Sequence, residues 1–209
     1  MVATPRKALP PALVIVALLA GGLLLSSVVN AKGKSAAADA KTEGLAAWRK
    51  VYSVLISPRC INCHTAADHP QQGDDRHRHS DGVARGPEGR GVPGLECTTC
   101  HGESNDPDTG VPGARDWHLA PLSMRWQDES DRPLSSAAVC SGVTDRSRNH
   151  DLDGPGLQKH FEVEPLALWG WDPGRRPDGT HRALPPLPRP EFIEAVRRWV
   201  AAGTPCPKE

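Results

Sequence analysis

The sequence has few of the side chains that usually fill a protein core. Only 4% of its 209 residues are aromatic, while glycine supplies 20 residues and proline 21. Ordinary side chains therefore offer little apolar mass for burial, and we expect another component to fill part of the interior.

The sequence also lacks an excess of charge of either sign. Its 25 lysines and arginines balance 25 aspartates and glutamates. Nucleic acid and anionic membrane surfaces attract basic proteins, so this balance argues against either as the main partner. Partner proteins are expected to dock on local patches.

One long apolar run is present, and it lies near the N-terminus. Two basic residues precede the run over 12–29, which ends in small residues up to Ala31. This order predicts a signal peptide over 1–31, although the run also suffices for an uncleaved N-terminal membrane anchor. Both alternatives place the remaining chain in the periplasm or facing it, with membrane contact only through this segment.

The rest of the chain divides into a linker over 32–42, which is small and polar, and one domain over 43–209. No alternating strand pattern stands out, so the predicted fold class is mostly α, with long loops rich in Gly and Pro. Apolar spacing predicts helices over Glu43–Ser57, near 134–140, near 155–168 and after Pro190.

Four of the six cysteines belong to two copies of one motif. The copies are Cys60-Ile-Asn-Cys63-His64 and Cys97-Thr-Thr-Cys100-His101. Both read C-x-x-C-H, the pattern of c-type haem attachment, in which two thiols on one helical turn reach the two vinyl groups of a porphyrin. We therefore predict two haem c groups, each bound through its two cysteines, with His64 and His101 as the proximal iron ligands.

The same four cysteines allow one alternative, a structural zinc site, because paired C-x-x-C is also a zinc signature. The histidine after each pair and the export signal favour haem. Only residues 65–96 separate the motifs, which is too short for two separate cytochrome domains. The haems are expected to share one domain, lie close together and supply the missing apolar bulk.

Met124 is the only methionine after the start residue, and it lies in a proline-containing loop beyond His101. A thioether opposite histidine is a common haem pairing, so we predict Met124 as the distal ligand of the second haem. The alternatives are a gap-filling methionine or ligation by His118.

No methionine remains for the first haem, so a second histidine or an open iron is implied. We predict His79 as its distal ligand and keep His160 as the alternative. Two further histidines of the linking loop, His69 and His77, are weaker candidates.

Cys140 and Cys206 lie outside the haem motifs. In an oxidising compartment two leftover thiols form a disulfide most simply. We therefore predict that these two residues are bonded to each other.

Several further motifs accompany the two C-x-x-C-H copies. They are Gln72-Gly73-Asp74-Asp75, Val83-Ala84-Arg85-Gly86, Trp117-His118-Leu119-Ala120-Pro121-x-x-Met124-x-Trp126, His160, Trp169-Gly170-Trp171-x-Pro173-Gly174 and Trp199-Val200-x-x-Gly203-x-x-Cys206-Pro207. Taken together, the motifs resemble a family of exported dihaem cytochromes labelled as isoquinoline 1-oxidoreductase-associated, over about residues 45–207. The resemblance implies a cytochrome c-like domain that serves as the electron-acceptor subunit of a molybdenum hydroxylase-type dehydrogenase.

The expected function is electron transfer from a periplasmic dehydrogenase to an acceptor cytochrome or oxidase of the respiratory chain, without catalysis by this chain. The alternative is a dihaem enzyme with an open iron, such as a peroxidase or a thiosulfate-oxidising cytochrome. A haem-based sensor is a third class, but the sequence has no kinase, DNA-binding or signalling segment.

Overall fold

The computed structural model describes residues 36–209, so the signal peptide or anchor predicted over 1–31 lies outside the described residues. Internal contacts divide the chain into a first unit, Met1–Ala40, and a second unit, Lys41–Glu209. Residues 36–40 of the first unit are helical and exposed. Within 36–209 no helix is both long and apolar enough to span a bilayer.

The structure describes the C-terminal part of the linker predicted over 32–42. Residues 36–42 are helical, although they are exposed throughout. Four of these seven residues are alanine, at positions 36, 37, 38 and 40. Alanine has the highest helix propensity because it loses no side-chain entropy, and this preference outweighs the small and polar character read from the sequence.

Helices are the main regular secondary structure of the second unit, in broad agreement with the prediction. Its helices are α1 over 41–55, α2 (Pro58–Ile61), α3 (Ser136–Thr144), α4 (Gly154–Val163), α5 (Pro165–Trp169) and α6 (Arg189–Ala201). Two short antiparallel pairs are also present, although the sequence predicts no strand. They join β1 (Gln71–Gln72) to β2 (His77–Arg78) and β3 (Gly91–Val92) to β4 (Leu95–Glu96).

Helices α1 and α6 pack their apolar faces together to form the centre of the core. Trp48 of α1 and Trp199 of α6 are fully buried, and their ring centres lie 4.8 Å apart. The Trp48 indole N–H also donates to the Ser136 hydroxyl at the start of α3, over 2.9 Å. Each fully buried large apolar side chain contributes about 1.5–3 kcal/mol, so these faces fix the helices against each other.

Local signals set the ends of the main helices. Pro190 lies in the first turn of α6, where its missing N–H costs nothing, and Gly203 follows the helix with a φ of +80°. The Asp153 carboxylate caps α4 by accepting from the Gly156 N–H over 2.8 Å. The sequence therefore predicts α6 closely, whereas the segment predicted near 155–168 forms two helices, α4 and α5, that are separated at Glu164.

The predicted disulfide is confirmed, because Cys140 of α3 is bonded to Cys206 beyond α6. Cys140 is fully buried. The neighbouring Pro205 carbonyl accepts from the Trp199 indole N–H over 3.1 Å. The disulfide therefore ties the C-terminal segment to the helical core.

Candidate haem site

The first motif begins at Pro58, which starts α2 after the last turn of α1. Successive backbone bonds tighten this turn: the Cys60 N–H donates to the Ser57 carbonyl over 3.0 Å, and the His64 N–H donates to the Cys60 carbonyl over 3.2 Å. The buried side chain of Ile61 anchors the turn in the core. Cys60, Cys63 and His64 consequently face the same cavity.

That cavity has a volume of about 430 Å³, within the range of about 300–1,000 Å³ that is usual for small-molecule and cofactor sites. Most of its wall is apolar. The apolar side chains include Val54, Leu55, Val143, Leu152, Leu157, Phe161, Leu166, Trp169, Trp171 and Phe192. A large, flat, apolar group tethered to the two cysteines suits such a wall.

The imidazole of His64 is held from two sides. Its Nδ1 donates to the Met124 backbone carbonyl over 2.6 Å, and its ring stacks on Trp126 with centres 3.4 Å apart and planes at 4°. Burial lowers the pKa of His64 to about 3, so the ring is neutral at pH 7. A neutral ring whose Nδ1–H is engaged offers the Nε2 lone pair to a metal.

The second motif repeats this arrangement. Cys97 begins a 3-10 turn that ends at Thr99, and the His101 N–H donates to the Cys97 carbonyl over 3.0 Å. His101 Nδ1 donates to the Pro112 carbonyl over 2.6 Å, and the ring stacks on Trp117 at 4.5 Å and 9°. Burial lowers the pKa of His101 as well. Both motif histidines therefore present Nε2 as the available ligand atom.

The two sites adjoin each other. Trp117 stacks on His101 of the second motif and also lines the cavity of the first. Its ring meets that of Trp169, another cavity residue, edge-on at 5.0 Å. The two motifs therefore lie side by side, with Trp117 between them.

Burial raises the pKa of Cys60 to about 12 and that of Cys63 to about 11. A structural zinc site requires its cysteines to gather around one point. Over 36–209 no three His, Cys, Asp or Glu side chains converge as a metal-binding group. The four motif cysteines therefore do not form one cluster.

The structure shows which motif each predicted distal ligand lies beside. The structure places His79 against His101, with ring centres 6.0 Å apart, whereas the sequence paired it with the first haem. Met124, which the sequence paired with the second haem, lines the cavity of the first motif and binds His64 through its carbonyl. His79 therefore lies beside the second motif, and Met124 lies beside the first.

Met124 is badly placed to ligate a metal bound to His64. Its carbonyl lies at Nδ1, on the side of the ring opposite to Nε2. A sulfur ligand beyond a metal on Nε2 would lie about 9 Å from that carbonyl oxygen, whereas a methionine spans only about 6 Å from its oxygen to its sulfur. Met124 positions His64 through its backbone instead.

Two other histidines line the cavity of the first motif. His160 of α4 projects into it, and burial among the surrounding protein atoms lowers its pKa. His118 lines the same cavity and also contacts Asp116. In the linking loop, His69 and His77 each form a hydrogen bond with a neighbouring aspartate. His160 and His118 are thus the candidates for the first site.

Sequence reasoning missed the residues that hold the motif loops in place. The Arg85 guanidinium donates to three backbone carbonyls, those of Thr65, Ala67 and Ala120. It thereby ties the chain after the first motif to the loop before Met124. The Val83-Ala84-Arg85-Gly86 motif was the only signal, and a lone arginine in a loop does not reveal which carbonyls it meets.

Comparison with protein-family models, curated proteins and solved structures finds no match for this chain. Any function therefore has to follow from its own residues and their arrangement.

Proposed function

We propose that this chain is an exported dihaem c-type cytochrome that transfers electrons in the periplasm or facing it. One observation carries the proposal: both C-x-x-C-H histidines donate Nδ1–H to a backbone carbonyl at 2.6 Å and stack on a tryptophan. Metal-binding histidines use this kind of bond to fix the ring and its tautomer. Two independent motifs would rarely converge on it by chance.

The residues of the first motif fit a haem. Cys60 and Cys63 open into a mostly apolar cavity together with His64. In this proposal Cys60, Cys63 and His64 hold the first haem, and Cys97, Cys100 and His101 hold the second. Each haem supplies an iron that accepts and releases one electron. The chain fixes the imidazoles, excludes water with its apolar wall and keeps the two groups adjacent.

The second motif is the better candidate for docking a redox partner. Cys100 is exposed, whereas Cys60, Cys63 and Cys97 are all half-buried. Electron transfer between proteins requires a short path from the cofactor to the surface. The family resemblance suggests a molybdenum hydroxylase-type dehydrogenase as the donor, with an acceptor cytochrome or oxidase downstream.

Mass spectrometry of the denatured protein tests the haem assignment. The mature chain should retain two haems. Replacing Cys60 and Cys63 together by alanine should remove one, and replacing Cys97 and Cys100 should remove the other. A matched double alanine variant of Cys140 and Cys206 should keep both, and a wild-type chain without covalent haem would overturn the proposal.

The alternative is a haem enzyme with an exchangeable position at the first iron. It is favoured by the reach of Met124, which is too short for that iron. Carbon monoxide separates the two functions, because a reduced iron with an open sixth position binds it promptly. Electron transfer alone predicts no rapid uptake, whereas one equivalent bound at the first haem would favour the enzyme.

A further inference from the structure

His79 follows the hairpin formed by β1 and β2 and meets the second motif in space. Its backbone N–H donates to the Pro70 carbonyl over 3.0 Å, and its Nδ1 donates to the Ser80 carbonyl over 2.8 Å. Its ring centre lies 6.0 Å from that of His101, with the planes at 73°. The ring is therefore held in place by backbone groups of its own loop.

The two rings present matching ligand atoms. In His101, as in His79, the nitrogen that donates to a backbone carbonyl is Nδ1, so Nε2 is the atom available to a metal. A metal between two imidazoles, at a metal–nitrogen distance of about 2.0–2.1 Å, holds their ring centres about 6.3 Å apart. The observed separation of 6.0 Å is close to this value.

The His79–His101 pair can be compared with the other edge-to-face ring pairs. Trp117–Trp169, Phe161–Phe192 and His160–Phe161 have their ring centres at 5.0, 5.3 and 5.7 Å. At 6.0 Å, His79 and His101 are the most widely spaced of these pairs, although packed aromatic rings also reach about 7 Å. The spacing is therefore compatible with a metal between the rings, and the Nε2 atoms left available on both carry the inference.

The hairpin that carries His79 is anchored to the first motif. The Gly73 carbonyl at its tip accepts from Asn62 Nδ2 over 2.9 Å and from Arg59 over 3.2 Å. The Gln71 N–H donates to the Asn62 carbonyl over 3.2 Å. Residues within and beside the first motif therefore set the position of a side chain that faces the second.

We infer that His79 and His101 bind the second iron from opposite sides, so that this haem has two histidine ligands. The inference rests on the proposed function, because the metal is the iron of a haem bound by Cys97 and Cys100. A histidine pair closes the iron to small ligands and lacks the thioether that raises the potential in Met/His haems. The second haem is then a closed electron carrier of low potential.

Carbon monoxide binding and redox titration of the haem-loaded protein test this inference. The variants are His79→Ala, His79→Met and the matched control His77→Ala, whose ring lies in the same hairpin, is exposed and binds Asp75. In His79→Ala, carbon monoxide uptake by the reduced protein should rise by one equivalent, and added imidazole should reverse the gain. In His79→Met one midpoint potential should rise, and His77→Ala should match the wild type.

The possible failures are distinct. A wild-type chain without covalent haem overturns the proposed function and this inference together. Two covalent haems in His79→Ala, with carbon monoxide uptake and both potentials unchanged, overturn this inference alone. If His79→Ala loses a haem during maturation, its carbon monoxide uptake no longer tests the inference. His79→Met then provides the test, and unchanged midpoint potentials of both haems in that variant overturn the inference.

Discussion

Removing the disulfide should destabilise the protein without affecting its haem content. The bond between Cys140 and Cys206 spans a sequence separation of 66 residues. In the chain-entropy model a loop of this length stabilises the fold by about 4 kcal/mol. For a domain of this size that loss lowers the melting temperature by about 8–16 °C.

The double variant Cys140→Ala and Cys206→Ala is the cleanest perturbation, because serine at the fully buried position 140 would add an unpaired hydroxyl to the core. Urea unfolding followed by far-ultraviolet circular dichroism measures the free energy of unfolding and its dependence on urea. Loss of a crosslink exposes more surface in the unfolded chain, so the m-value should also rise.

Val143→Ala is a matched control on the same buried face of α3. It removes packing and leaves the crosslink intact, so stability should fall by about 1–3 kcal/mol with an unchanged m-value. A free energy of unfolding within about 1 kcal/mol of wild type in the double alanine variant would refute the chain-entropy reasoning. Loss of a haem in that variant would refute the assignment of four cysteines to haem attachment and two to the disulfide.

Three further predictions concern the surroundings of His64. Met124→Leu should leave the midpoint potential of the first haem unchanged in a redox titration, because the sulfur cannot reach the iron on His64; a fall in that potential would contradict this. Trp126→Ala removes a buried ring stacked on His64 and should cost about 3–5 kcal/mol in urea unfolding, with a spectral change confined to the first haem. Arg85→Met leaves three carbonyls without their shared donor and should lower the free energy of unfolding by about 2–5 kcal/mol, whereas an unchanged value would show that water replaces the guanidinium.

Features encoded by neighbouring residues could be predicted from the sequence. The spacing of Trp48, Val51 and Leu55 marks the buried face of α1, and Pro190 with Gly203 brackets α6. Each C-x-x-C-H motif likewise forms one local turn, so its histidine and cysteines were recognised directly.

Contacts between distant segments could not be predicted in this way. The position of His79 depends on the bonds that Asn62 and Arg59 make to Gly73, and no periodicity encodes them. Met124 was paired with the second motif because it follows that motif in the chain. Its carbonyl instead meets His64, 60 positions earlier.

The few aromatic side chains lie in the helical core and around the cavity of the first motif. Of the six tryptophans, Trp48 and Trp199 pack in the helical core, while the other four line the cavity of the first motif. Leu55 and Phe192 belong to both the core and the cavity wall, so the two regions are continuous. A group that fills the cavity therefore completes the core, and its contribution to folding scales with the apolar surface it covers. Attachment of that group and stable packing of α1, α4 and α6 should consequently depend on each other.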